Sequence, residues 1–209
     1  MDKEITFADL GIPQEILAAL EDKGYGYPTR VQELAIPPMM EGRDILAKAP
    51  TGTGKTYAFG IPMITQIDPA SQAIQGLVLA PTRELALQIG DELKSLLTHV
   101  QGIRVAVLYG GQKFEPQLKQ LQKHPQIVVA TPGRLMDHYR HKNLRLDGVR
   151  TVVLDEADRM LDMGFFPDIR RIVGKLPRNR QSLFFSATLS DEIRKLAGEL
   201  VTNPVSVIA

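Results

Sequence analysis

Six short runs of uniformly apolar or β-branched residues recur along the chain: Leu77–Ala80, Val105–Leu108, Ile127–Ala130, Val152–Leu154, Leu183–Phe185 and Val205–Ile208. Helical patterns separate them. A strand that is apolar at every position has no face to give to water, so it must be covered on both sides. The pattern therefore predicts an α/β fold, a doubly wound, mostly parallel sheet with helices on both faces. In such sheets ligands gather beyond the carboxyl ends of the strands. Each polar motif of this chain follows one of the runs. Upstream, Ile12-Pro13 to Gly24 reads as a short helix, with proline at its start and glycine just past its end. A turn-rich segment from Gly24 leads into a second helix through Ile36, and Asp68–Gln75 reads as a surface loop.

A further apolar run, Asp44–Ala47, precedes Ala49-Pro50-Thr51-Gly52-Thr53-Gly54-Lys55-Thr56, and a helical pattern follows over Tyr57–Ile64, slowed by Gly60 and Pro62. Strand, glycine loop and helix start form the context of a phosphate-binding loop. Gly52 and Gly54 can turn backbone N–H groups inward around an anion, and the helix N-terminus adds positive potential. Lys55 is placed to reach terminal phosphates, and the Thr56 hydroxyl to ligate Mg²⁺. The usual motif starts with Gly; here that place is Ala49. The expected ligand is a nucleotide. A glutamine amide matches the N6/N7 edge of adenine, and an adjacent aromatic can stack on the ring. Gln32 and Tyr25, within Gly24–Gln32, are the candidates: on spacing alone an ordinary loop is the better reading, and the phosphate loop beside it favours the adenine reading.

The run ending at Leu154 delivers Asp155-Glu156-Ala157-Asp158. A carboxylate there can hold Mg²⁺ opposite the phosphate loop, usually through water, and makes Asp155 the candidate. Glu156 is placed to orient and deprotonate an attacking water. Pro81-Thr82-Arg83-Glu84-Leu85, Gly110-Gly111 and Thr131-Pro132-Gly133-Arg134 follow three other runs. Taken singly they are caps and turns. Together they align two cap hydroxyls, two arginines and a glycine pair along one rim, a set suited to a row of phosphates with little sequence preference. Ser186-Ala187-Thr188 closes the Leu183–Phe185 run with two further hydroxyls.

With 44% apolar residues in 209 the chain can bury a sizeable core in one large domain. It has no cysteine, which excludes disulfides and thiolate metal sites and is compatible with a reducing, cytoplasmic setting. The start lacks a basic and apolar leader pattern, and no stretch approaches the roughly 20 apolar residues of a membrane span. A formal net charge of +1 gives no global pull toward nucleic acid, so any such binding must be local.

These motifs, in this order, resemble the DEAD-box family of ATP-dependent RNA helicases, whose name Asp155-Glu156-Ala157-Asp158 spells. The resemblance covers residues 1–209 nearly throughout and implies the first of the family's two RecA-like P-loop domains. It implies ATP and Mg²⁺ as cofactors. Phe7 is similar to the family's upstream aromatic, and Phe7, Tyr25, Gln32 and the loop from Thr51 through Thr53 to Thr56 are implied in nucleotide binding. Ala in the first place of the loop is ordinary in that family. Lys55, Asp155 and Glu156 are implied in catalysis. Pro81, Thr82, Arg83, Gly110, Gly111, Thr131, Gly133 and Arg134 are implied in contact with the RNA backbone. Ser186 and Thr188, with Asp158, are implied in linking the ATP state to RNA engagement. Nothing after Val205–Ile208 resembles the second domain, whose arginines complete the ATP site. The expectation is thus a monomeric half-enzyme that needs its partner domain for unwinding. A stand-alone ATP-dependent RNA-binding module and a P-loop ATPase acting on DNA are the rival readings.

Overall fold

The computed structural model describes residues 3–209. Seven strands form one sheet: β1 (Ile45–Lys48), β2 (Gly76–Leu79), β3 (Val105–Leu108), β4 (Ile127–Ala130), β5 (Thr151–Leu154), β6 (Gln181–Ser186) and β7 (Val205–Ile208). Their order is β3-β4-β2-β5-β6-β1-β7, and each neighbouring pair is parallel. The expected architecture is thus realised, with every pair parallel. Alternate residues of each strand feed two cores. Ala47, Val78, Val129, Val153 and Phe185 pack on one face, and Leu77, Leu79, Val128, Leu154 and Phe184 on the other. The period of two that sends successive side chains to opposite faces makes both cores apolar from one strand.

On the first face lie α1 (Gln14–Asp22), α2 (Arg30–Met40), α3 (Lys55–Thr65) and α4 (Arg83–Leu96). On the second lie α6 (Pro132–Arg140), α7 (Ala157–Asp162), α8 (Phe166–Val173) and α9 (Asp191–Leu200), with α5 (Phe114–Gln122) contributing Leu121. Helix α1 ends as its sequence predicts: Gly24, at φ 77°, donates to Glu21 O and Tyr25 N to Leu20 O, the paired bonds of a Schellman motif.

Several boundaries depart from the sequence reading. Strand β1 starts one residue later, because the Asp44 carboxylate accepts from Ser182 N and Thr202 N and so belongs to the strand's entry. Helix α2 runs through Pro37, Pro38 and the fully buried Met39 to Met40. Burial of Met39, and two glutamine amides on its carbonyl (Gln66 and Gln181), offset the helix bonds the prolines remove. Helix α3 begins at Lys55 and passes Gly60 and Pro62 unbroken. Gly60 is there for space, since a Cβ would sit 2.6 Å from Leu93 Cδ2 of α4. The Asp68–Gln75 loop is on the surface only in part: Ile74 and Gln75 are buried, and the Gln75 amide pairs with both the N–H and the carbonyl of Asp68.

Candidate nucleotide site and nucleic-acid rim

The phosphate loop joins β1 to α3 beyond the carboxyl end of β1. Gly52 and Gly54 both adopt φ 83°, the left-handed region that glycine enters without strain. Thr53 Oγ1 donates to Pro50 O at 2.7 Å, closing the loop on itself. The loop's crest at Thr51 and Gly52 is exposed, while Lys55, the first residue of α3, is 7% exposed. It is the only buried lysine or arginine among the described residues. Its Nζ lies 3.4 Å from Asp155 Oδ1 and makes no hydrogen bond. A buried ammonium with unused donors, at a helix N-terminus inside a glycine loop, fits an incoming multi-oxygen anion.

Asp155 follows β5 and is fully enclosed. Burial pushes its carboxyl above the ordinary range, Lys55 pulls it back down, and the neighbouring Glu156 pushes it up again. Glu156 sits at φ 53° as the N-cap of α7, a left-handed conformation that strains a non-glycine residue. Three contacts hold it there. Its N–H donates to Asp155 Oδ1 (2.9 Å), Thr51 Oγ1 donates to its Oε1 (3.4 Å), and Arg159 Nη1 donates to its Oε2 (3.0 Å). Its carboxylate thus bridges the phosphate loop and α7. Among the described residues no three His, Asp or Glu side chains gather as a metal cluster. The donors present, the Thr56 hydroxyl and the Asp155 carboxylate, fit a hard cation that takes its other oxygens from phosphate and water. Ser186 ends β6 between these two strands; it is fully buried and its Oγ has no partner. Asp158 accepts from Thr188 N (3.2 Å) and Thr188 Oγ1 (3.0 Å), which ties the carboxylate motif to the segment after β6.

The residues expected to read a base lie beside the loop but are already engaged. Gln32 is 3% exposed; its Oε1 accepts from Thr29 N (2.9 Å) and its Nε2 donates to Gly54 O (3.1 Å). One N–H and one lone pair of the amide remain unused. Thr29, absent from the sequence reading, donates through Oγ1 to Thr53 O at 2.7 Å and forms a capping box with Gln32. The T-x-x-Q spacing before an apolar run was the available signal. Tyr25 is 50% exposed, its ring edge-on to Tyr57 with centroids 5.9 Å apart. Phe7 is buried in the core, and its N–H donates to Gly26 O (3.2 Å). It supports the segment from beneath.

The rim follows β2, β3 and β4. Thr82 caps α4 by accepting from Leu85 N (3.2 Å), and Pro81 is buried. Thr131 is buried and, contrary to expectation, makes no side-chain cap at the start of α6. Gly110 and Gly111 are exposed, Gly111 at φ 82°. Arg83 is exposed, its guanidinium 5.0 Å from the Tyr109 ring centre. Arg134, expected as a free phosphate contact, is turned inward: its side chain is 11% exposed, donates to Gln112 O (2.9 Å) and lies 4.8 Å over the Phe114 ring. Two arginine–aromatic pairs thus bracket the loop from Tyr109 to Phe114.

A concavity of about 990 Å³ lies elsewhere, between the end of α6 and α8. Its lining arginines, Arg140, Arg145, Arg170 and Arg171, pair with carboxylates, and it holds none of the motif residues of the phosphate loop or the rim.

A parallel sheet with a lysine-bearing glycine loop and an acidic strand end defines a P-loop nucleotide-binding domain. The sequence profile of the DEAD/DEAH box helicases matches residues 29–196, and the chain belongs to that family. It is 47% identical over 199 residues to the DEAD-box ATP-dependent RNA helicase CshA of Bacillus cereus, covering 95% of this chain and 38% of that protein. The ATP-dependent RNA helicase DeaD of Haemophilus influenzae is 45% identical over 207 residues, covering 99% of this chain and 34% of the relative. The crystal structure of a DEAD box protein from the hyperthermophile Methanococcus jannaschii superposes with a TM-score of 0.93 at 39% identity, over 99% of this chain and 57% of the other. The chain therefore spans little more than a third of these curated relatives. Among the described residues no helix is long and apolar enough to cross a membrane.

Proposed function

We propose that residues 1–209 are the ATP-binding and hydrolysing half of an ATP-dependent RNA helicase, which grips the RNA sugar–phosphate backbone and needs a second RecA-like domain to unwind. The observation that carries this is Lys55 Nζ, buried and without a hydrogen bond, 3.4 Å from Asp155 and backed by Glu156. In this reading Lys55 and the loop amides bind the terminal phosphates of ATP. Mg²⁺, held by Thr56 and, through water, by Asp155, would draw charge from the phosphoryl group. Glu156, fixed by Thr51 and Arg159, takes the proton of the attacking water. Gln32 and Tyr25 flank the base, and Gln32 couples it to the loop through Gly54 O. The relatives' names support ATP and RNA as the ligands.

Thr82, Gly110, Gly111, Thr131 and Gly133 meet the RNA backbone through hydroxyl and amide groups, with Arg83 adding charge from the surface. The Asp158–Thr188 contact, beside Ser186, is the link between ATP site and RNA grip. A monomer of this kind, working in the cytoplasm, needs no membrane. Titration with fluorescent ATP tests the reading: Lys55→Ala should abolish tight binding, because among the described residues no other lysine or arginine is buried to neutralise the phosphates. Unchanged affinity would mean that the loop serves another ligand.

A further inference from the structure

His138, on the inner side of α6, is fully buried. Its Nδ1 lies 3.0 Å from Asn143 Nδ2, and its Nε2 lies 2.8 Å from Gln117 Oε1. An amide nitrogen can only donate and an amide oxygen can only accept. Nδ1 is therefore the acceptor, and Nε2 carries the proton. Gln117, also fully buried, spends both of its N–H groups on the next loop, donating to Tyr109 O (2.8 Å) and to Gln112 Oε1 (2.8 Å). A one-way relay of donors thus runs from Asn143 through His138 and Gln117 to residues 109 and 112. It ends on a loop that has no ladder of its own, since Gly110 and Gly111 enter no backbone–backbone hydrogen bond. The Phe114 ring, 4.4 Å from the imidazole, and Arg134, on Gln112 O, complete the support.

A buried, satisfied histidine is more often a packing feature than a functional one. This one differs in where the relay ends: on both sides of two exposed glycines at the rim. We propose that Asn143, His138 and Gln117 are positioning residues that hold the Gly110–Gly111 amides in the conformation that receives RNA phosphate. This rests on the reading of that loop as an RNA contact. Glycine pairs lose much conformational entropy when ordered, so a loop held in shape before binding spares that cost at the moment of binding.

The test uses this chain with three measurements: amide exchange over residues 109–113, affinity for a labelled single-stranded RNA, and affinity for ATP. His138→Leu should speed exchange in the loop and weaken RNA by roughly tenfold, the scale of one lost buried hydrogen bond, with ATP affinity retained. His138→Gln, which keeps a donor near the Nε2 position, should recover much of both. Should His138→Leu fail to fold, Asn143→Ala breaks the relay at its half-buried end and carries the same expectation. Unchanged loop exchange and RNA affinity in these variants would overturn the proposal, as would His138→Gln being no better than His138→Leu. Gly111→Ala, strained at φ 82°, separates the two readings. If it weakens RNA while His138→Leu does not, the loop binds RNA and the relay is mere packing. If neither variant changes RNA affinity although exchange rises, the loop is no RNA contact, and the rim reading falls together with the relay.

Discussion

Glu156 shows how much of a site can rest on one residue's backbone. At φ 53° it occupies a conformation that costs on the order of 1 kcal/mol or more, and the bonds from Thr51 and Arg159 keep it there. Glu156→Gln keeps the shape and loses the proton acceptor. With a second domain supplied, ATP binding should persist while hydrolysis slows about 10²–10⁴-fold in single-turnover assays; an undiminished rate would remove Glu156 from the mechanism. His138 supplies a prediction with a sign. Burial, reinforced by Arg134, lowers its pKa from the usual 6.5 to about 4, so the folded protein binds fewer protons than the unfolded chain between those values. Stability must then fall as pH drops from about 6.5 toward 4. Asp155, raised by burial, acts in the opposite sense, so the comparison of parent with variant isolates the histidine. In urea titrations the parent should lose roughly 2–3 kcal/mol more than His138→Leu between pH 7 and pH 4.5. Equal losses would mean that His138 is not buried as a neutral base. That Lys55, Thr56, Asp155 and Glu156 gather about the phosphate loop was legible in the sequence, because short spacing after a strand places each of them. The inward turn of Arg134 and the relay through His138 were not, because their partners Gln112, Gln117 and Asn143 come from other segments and no local pattern pairs them.

Local rules predicted elements better than their ends. All seven strands were visible as apolar runs, and the Schellman end of α1 followed from Gly24. Helix α2 outran its prolines because Met39 is buried, a tertiary gain invisible to propensity. The start of α2 matters most for function. The capping box of Thr29 and Gln32 is also the clamp on the phosphate loop, through Thr53 O and Gly54 O. A Cβ at Gly54 would collide with the Gln32 amide, so the helix start and the loop are fitted to one another. Gln32→Ala should weaken ATP by roughly tenfold or more, since it strips a bond from the loop and leaves Gly54 O and Thr29 N unpaired. It should also lower preference for ATP over GTP if the remaining amide valences read adenine. Competition titrations separate the two: a loss shared equally by ATP and GTP assigns Gln32 to loop support alone.

The order of the sheet divides the rim in two. The ends of β5, β6 and β1 carry Asp155, Ser186 and the phosphate loop, whereas the ends of β3, β4 and β2 carry Gly110, Thr131 and Thr82. The halves meet where β5 lies beside β2 and Asp155 N donates to Leu79 O at 3.0 Å. In the proposed reading nucleotide and RNA would sit on one continuous edge without sharing a residue, and the β2–β5 seam and the Asp158–Thr188 contact are the links that could couple them. Among the described residues Lys55 is the only buried lysine or arginine, and the crest of the loop at Thr51 and Gly52 is exposed, so no second cation among them is placed to stabilise charge developing on the outer phosphate oxygens. An arginine brought to a phosphoryl-transfer site is worth ~10³–10⁵ in rate, ample to separate an idle site from a working one. Residues 1–209 alone should accordingly bind ATP, bind RNA weakly, and hydrolyse ATP at a rate that RNA does not change. Adding the remainder of a relative such as CshA, of which this chain matches 38%, in trans or fused, should restore RNA-stimulated turnover. ATP and RNA should then tighten one another's binding, since by linkage each favours the closed arrangement the other needs. Phosphate-release assays over a matrix of RNA and added domain measure this directly. If residues 1–209 alone unwind a short duplex as fast as the joined protein, the site is complete without a partner and the half-enzyme reading fails.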